Sequence, residues 1–297
     1  MNIGFVGAGI MGHGMAVNLL EDGHRLRVVA HRNRAPIDDL VTRGASEALT
    51  FEVLGHEADA IVLCLTGTHT VETVVEALCD HLAPGVLILD TTTNEPGGPE
   101  RIAARLDAAG MRYVEAPVTG GAAQAREGVL GAIVGCRRSD FADAKAILSS
   151  FCKDIARFGE VGMGVRAKLV SNFLALGTAA LVIESFKQAR SLGVDAEKLY
   201  RLAQLGSGNS TGLQRIIGAA LEGDYGGYRF SVANSAKDFS YFCRLAQANG
   251  EVPALAGVLD TLFADAVSAG HGERMISELL DPALVDGAAN RGPPGDE

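Results

Sequence analysis

The chain opens Met1-Asn2-Ile3-Gly4-Phe5-Val6-Gly7-Ala8-Gly9-Ile10-Met11-Gly12-His13-Gly14, and the fold turns on how this stretch is read. A short apolar run, residues 3–6, is followed at once by glycines at 7, 9 and 12 and then by Met15-Ala16-Val17-Asn18-Leu19-Leu20. A strand turning sharply into a helix needs a residue without a Cβ at the turn (Gly7). It needs another where backbone approaches a pyrophosphate (Gly9), and a third where the helix lies on the strand (Gly12). The amides at the start of the new helix then face phosphate oxygens. A plain glycine turn is the alternative in a chain with 37 glycines. The strand before and the helix after are the context the motif demands, so Gly7, Ala8, Gly9, Ile10, Met11 and Gly12 form the first candidate cofactor-binding set.

Outward from this loop the pattern keeps alternating. Strands are expected at residues 3–6, 26–30, 60–65, 86–90, 113–115 and 132–134, with helices at 12–21, 37–43, 71–81 and 99–109. Gly23, Gly44, Gly85 and Gly110 punctuate the helix exits. This is the signature of an α/β Rossmann-type doubly wound sheet. After Gly164 the pattern changes. Residues 165–192 read as one long apolar helix, followed by helical segments at 196–205, 211–222, 235–249, 252–269 and 274–280 with no convincing strand. The expected organisation is a dinucleotide-binding domain over 1–163, an all-α domain over 164–285 joined by the long interdomain helix, and a flexible tail over 286–297.

A chain of 297 residues that is 47% hydrophobic suits two ordinary domains. No uninterrupted apolar run reaches the ~18 residues of a membrane span, and strand structure begins without a secretory signal, so a cytoplasmic protein with no membrane partner is expected. Cys64, Cys79, Cys136, Cys152 and Cys243 show neither disulfide-framework nor zinc-site spacing. None of the seven histidines forms a metal-ligand pair, so no metal is expected, and no GxSxG elbow points to acyl hydrolysis. A net charge of −10 argues against nucleic acid.

The second strand is followed by His31-Arg32-Asn33-Arg34, with no acidic residue between Asp22 and Asp38. A carboxylate at this place would accept from an adenosine ribose and repel a 2′-phosphate. Arg32 can instead engage a phosphate bidentately, and Asn33 can donate beside it. His31, Arg32 and Asn33 therefore point to NADPH rather than NADH, the alternative being a solvated basic loop.

Three later stretches carry chemistry. Pro117-Val118-Thr119-Gly120-Gly121 sets a hydroxyl beside two glycine amides, a nest suited to a carboxylate. Gly162-Met163-Gly164-Val165-Arg166-Ala167-Lys168-Leu169-Val170-Ser171-Asn172 places Lys168 and Asn172 four residues apart, on one helix face. Phe230 and Lys237-Asp238 offer an aromatic wall and a charged pair. The plainer reading makes Phe230 core and leaves the charged pair in solvent, since adjacent residues do not face each other on a helix.

With Asp90-Thr91-Thr92-Thr93-Asn94-Glu95-Pro96 in the middle, these motifs in this order resemble the β-hydroxyacid dehydrogenase family over about residues 2–280. Its members include 3-hydroxyisobutyrate dehydrogenase, tartronate semialdehyde reductase and glyoxylate/succinic semialdehyde reductase, with 6-phosphogluconate dehydrogenase a larger relative. The resemblance implies Lys168 as catalytic acid/base, Asn172 holding substrate, and Thr119, Gly120 and Gly121 binding its carboxylate. It implies Leu65, Thr66 and Thr93 lining the dinucleotide, and through the family's similar Lys-Asp pair it adds weight to cleft roles for Lys237, with the substrate, and Asp238, with the cofactor; Phe230 stands as a candidate wall of the substrate pocket. The family usually has Ser at Thr119 and Asn at Ser171. The first difference adds a methyl to the pocket, and the second spares the asparagine four residues after the lysine.

Carbonyl reduction by hydride needs one proton for the developing alkoxide, which an ammonium supplies along with electrostatic stabilisation. An NADPH-dependent reductase or dehydrogenase of small β-hydroxy acids and their semialdehydes is expected, its site between the two domains. The apolar residues from 169 to 183 suggest a homodimer. The alternatives are an imine reductase, which generally carries Asp or Tyr in place of the lysine, and a non-catalytic NADP-sensing protein.

Overall fold

The computed structural model describes residues 1–31, 33–251 and 253–284. Residues Met1–Leu169 form one compact unit, and a second begins at Val170.

The first unit is built on β1 (Asn2–Val6), α1 (Gly12–Glu21), β2 (Arg25–Val28), α2 (Ala35–Thr42), β3 (Ser46–Glu47), α3 (Phe51–Gly55), β4 (Ala60–Leu63), α4 (Thr68–Cys79), β5 (Leu87–Asp90), α5 (Gly98–Ala108) and β6 (Arg112–Glu115). These six strands are parallel in the order β3-β2-β1-β4-β5-β6, so the chain reverses its direction of travel between β1 and β4. In such sheets ligands bind outside the carboxyl ends of the strands at that switch. The central strands are apolar on both faces because both are covered. Phe5 packs with Met15, Leu19 and Val28 on one side. Val6 packs with Ile61, Leu63 and Val71 on the other.

Beyond β6 the chain adds β7 (Val118–Thr119), α6 (Ala122–Arg126), β8 (Leu130–Gly135), α7 (Phe141–Leu148) and β9 (Cys152–Gly159). Strand β8 runs antiparallel to β6 and β7 and parallel to β9. The expected strands and helices of this half are present with shifted ends, while β3, β7, β9, α3, α6 and α7 were not expected. β3 and β7 are two-residue strands with no period to read, and β9 exposes every other residue and is rich in charge, so it offers no apolar run.

Helix α8 (Met163–Ser191) carries the division between the units. It is long and apolar enough by composition to cross a membrane, with a mean hydropathy of 1.6 over its most apolar window, half of which is buried in the protein. The second unit continues with α9 (Ala196–Ala203), α10 (Thr211–Leu213), a π turn at Gln214–Gly218, α11 (Ala219–Leu221), α12 (Val232–Ala248) and α13 (Ala254–Ala266). The segment expected as a single helix at 211–222 thus contains a π turn, and the one expected at 274–280 is a 3₁₀ turn, Ile276–Leu280. The core of this unit joins Leu176, Ile183, Ile216 and Phe239 to a ring of aromatics. Phe173 stacks on Phe242 at 4.4 Å and Phe239 on Phe263 at 5.2 Å. The tail expected at 286–297 and the helix start expected at Val252 lie outside the described residues.

Candidate active site

At the end of β1 the three loop glycines do three different things. Gly7 has φ +103°, and a Cβ there would sit 2.1 Å from the Cys64 carbonyl oxygen of the strand alongside. Gly12 is closed by its own turn, since a Cβ would lie 2.1 Å from the Gly7 oxygen and 3.1 Å from the Phe5 ring. At Gly9 a Cβ would meet nothing within 4 Å. Chain geometry therefore explains Gly7 and Gly12 but not Gly9, whose bareness faces open space. No side chain caps α1 and no acid stands in its first turn. An uncapped helix start beside an open, Cβ-free position fits a dinucleotide pyrophosphate. Ile10 is exposed, Ala8 and Met11 half-buried.

The loops after β4 and β5 flank the same crevice end of the sheet. The Leu65 amide donates to Thr92 Oγ1 at 3.0 Å, and the Thr66 hydroxyl pairs with that of Thr70 at 3.2 Å. Under them lies Asp90, fully buried, which accepts from the Thr92 amide (2.9 Å), Asn94 Nδ2 (2.7 Å) and the Tyr113 hydroxyl (3.0 Å). Burial pushes the Asp90 carboxyl up, against these donors. Burial and the neighbouring Asp90 charge hold the Tyr113 phenol well above its usual value. The carboxyl thus shapes the turn that presents Thr93, which is half-buried.

After β2, His31 and Asn33 are exposed, and Asn33 Oδ1 accepts from the Ala35 amide at 3.1 Å. Arg32 lies outside the described residues. Arg34 is engaged by Glu47 of β3 through two bonds of 2.9 and 3.0 Å and by Asp38 at 3.0 Å. The Arg34 bridge holds the Glu47 carboxyl below its ordinary value. The sequence shows no acid between Asp22 and Asp38, but the sheet order brings Glu47 from β3.

Thr119 and Gly120 are exposed at the end of β7, and Gly120 has φ +120°. Of the two amides expected to form a nest, that of Gly121 is taken internally, donating to Gln124 Oε1 at 3.0 Å. Helix α6, which follows, is locked to α1. A Cβ at Gly14 would clash with the Ala125 carbonyl carbon at 2.7 Å, and Asn18 Nδ2 donates to the Ala125 oxygen at 2.9 Å. One helix pair therefore supports both the glycine-rich loop and the Thr119 loop.

Lys168 and Asn172, each 7% exposed, stand one turn apart on α8. Within the second unit, Asn172 Nδ2 donates to buried Asp238 Oδ2 at 2.6 Å. Lys237 Nζ lies 3.4 Å from Asp238 Oδ1, so the adjacent pair does meet, contrary to the expectation from helical spacing. A long lysine stem can fold back along the helix. Phe230 is half-buried and packs against the aromatic core of the second unit.

Sequence reasoning missed Glu115. It is fully buried at the end of β6, and it accepts from the amides of Gly162, Gly164 (2.9 Å) and Val165 (3.1 Å) at the start of α8. Burial pushes its carboxyl up to about 8, and the three donors pull against that. No spacing rule points from residue 115 to residue 164.

Two family profiles match the chain: one described as the NAD binding domain of 6-phosphogluconate dehydrogenase, over residues 2–162, the other as NAD-binding of NADP-dependent 3-hydroxyisobutyrate dehydrogenase, over 162–283. The NAD-dependent L-serine dehydrogenase of Pseudomonas aeruginosa is 29% identical, over 94% of this chain and 98% of its own. The mitochondrial 3-hydroxyisobutyrate dehydrogenase of Drosophila melanogaster is 27% identical, over 94% and 88%. A crystal structure of 3-hydroxyisobutyrate dehydrogenase from Salmonella typhimurium aligns with TM-score 0.87 and 25% identity, over 94% and 99%. An imine reductase from Myxococcus stipitatus is more distant, sharing the fold with TM-score 0.64 and 18% identity over 94% and 97%. Fold and profiles together define an NAD(P)-dependent oxidoreductase. Within that class the chain belongs to the β-hydroxyacid dehydrogenase family.

Proposed function

We propose that this enzyme interconverts a small β-hydroxy acid and its semialdehyde, with Lys168 as acid/base. The observation that carries the reading is a buried lysine one helical turn from a buried asparagine that a carboxylate orients. A nicotinamide held by the loop of Gly7, Gly9 and Gly12 would supply hydride to the carbonyl carbon, or accept it from the alcohol. In reduction Lys168 donates a proton from Nζ to the developing alkoxide, and its charge stabilises that oxygen before transfer. In oxidation the neutral amine takes the alcohol proton. Asn172, with Nδ2 committed to Asp238, keeps its amide oxygen for a substrate hydroxyl. The Thr119 hydroxyl and the Gly120 amide receive the substrate carboxylate.

NADPH is preferred over NADH in this reading, with His31, Arg32 and Asn33 meeting the 2′-phosphate. Arg34, already bridged to Glu47, contributes less than its charge suggests. A homodimer is supported by an apolar stripe on α8, where Val170, Leu174 and Leu181 are 56%, 71% and 58% exposed. A cytoplasmic location is in keeping with the five free thiols.

The test is reduction of glyoxylate and of succinic, methylmalonate and tartronate semialdehydes with each nicotinamide, using wild type and Lys168→Ala. Turnover of at least one by the wild type is expected, with a loss of about 10²-fold or more in the variant while NADPH still binds. Persistent turnover in Lys168→Ala refutes the role. Wild-type protein that binds NADPH and turns over none of the four refutes the substrate class.

A further inference from the structure

We infer that Glu115 is a positioning residue, the carboxyl group that ties the strand leading to Thr119 to the helix turn beneath Lys168. The inference rests on the acid/base reading of Lys168 given above. Glu115 ends β6, and the chain runs from it through Ala116-Pro117-Val118 directly to Thr119. Its two oxygens accept from three amides where α8 begins: Oε1 from Gly162, just before the helix, and Gly164, and Oε2 from Val165. The first turn of α8 holds no acid of its own, so this start is capped from another element.

The register makes the cap more than a fold-wide brace. Gly164, Lys168 and Asn172 follow one another at intervals of four, so the amide gripped by Glu115 lies one turn below Lys168 on the same face. The surroundings leave the carboxyl group little freedom. A Cβ at Gly135 would come 2.1 Å from Glu115 Oε1, and one at Gly164 would come 2.9 Å from both the Gly135 nitrogen and the Ile133 oxygen. The charged groups around this cap are Glu100, against which a Cβ at Gly162 would collide, and Arg166, 3.5 Å from Glu100. Tyr113 lies two residues back along β6. A single buried side chain thus sets the spacing between a candidate substrate-binding hydroxyl and the candidate acid/base.

The experiment compares full-length wild type with Glu115→Ala, Glu115→Gln and Lys168→Ala. It uses NADPH and whichever of the four aldehydes named above is reduced fastest. For Glu115→Ala, kcat is expected to fall about 30-fold or more with KM and the NADPH Kd within about 3-fold, as for a misplaced reacting group. Amide exchange in the peptide spanning 162–169 is expected to quicken at least about 10-fold. Glu115→Gln keeps one oxygen for Gly162 and Gly164 and loses the acceptor for Val165. Its kcat is expected to fall only about 3- to 10-fold, with faster exchange confined to Val165.

Wild-type kcat in a folded Glu115→Ala, or in a Glu115→Gln whose Val165 amide has become labile, overturns the inference. Should the alanine variant not fold, the glutamine variant alone decides by the same criterion. A fully active Lys168→Ala overturns the acid/base reading and the inference with it. An inactive Lys168→Ala beside a fully active Glu115→Ala overturns the inference alone.

Discussion

Replacing Gly9 by alanine separates what the chain needs from what a ligand needs. The added methyl would meet no protein atom within 4 Å, and the residue does not sit at positive φ. Stability without nucleotide is therefore expected to stay within about 0.5 kcal/mol of wild type, with any gain coming from the narrower unfolded ensemble of alanine. The contrast is Gly7→Ala. There φ +103° combines with a Cβ 2.1 Å from the Cys64 oxygen, so β1 and β4 must part or the turn must reform. Left-handed strain of about 1–3 kcal/mol plus that collision predicts a loss above about 3 kcal/mol. For the nucleotide the order reverses. A methyl at Gly9 stands where the loop amides must close on phosphate, and losing one or two charge-assisted hydrogen bonds costs about 2–4 kcal/mol, or roughly 30- to 1,000-fold in Kd. Thermal melts without nucleotide give the first quantity, and calorimetric titration with NADPH gives the second. Gly9→Ala protein that binds NADPH as wild type does, or that melts early without it, would show that the open space at Gly9 is not the phosphate cradle.

Asn172→Ala strips buried Asp238 Oδ2 of its 2.6 Å donor and should destabilise the second unit by about 2 kcal/mol, read from the urea midpoint. Glu47→Gln removes the charge and one of the two bonds that hold Arg34, so the ratio of kcat/KM for NADPH over NADH should rise by about 3- to 10-fold in initial-rate assays. A carboxyl raised to about 8 binds its proton in the folded state when the unfolded chain, near 4.5, has released it. The stability Glu115 contributes is thus complete below about 4.5 and declines as pH rises through 8, by up to ~1.4 kcal/mol per unit. Wild-type stability measured by denaturant from pH 5 to 8 should fall relative to that of Glu115→Gln, and parallel profiles would contradict the assignment.

How much of this was legible depends on whether a feature is local. The glycine loop is, because turn, approach and packing are demands on neighbouring residues, and Gly7, Gly9 and Gly12 show themselves by spacing alone. The Lys168–Asn172 pair is legible for the same reason, since helical period decides which residues share a face. What could not be read was set by the sheet. Glu47 reaches Arg34 because β3 pairs beside β2, and Glu115 reaches Gly164 because β6 ends where α8 begins. The consequence for the cofactor loop is specific. An absence of acid along 23–37 is not an absence of acid in space, and the charge this loop would offer to a 2′-phosphate is what remains after Glu47 of β3 has paired with Arg34. On the proposed reading, the choice between the two nicotinamides would rest on strand order as well as on residues 31–34, and a carboxylate on β3 has to be weighed alongside any change made in that loop.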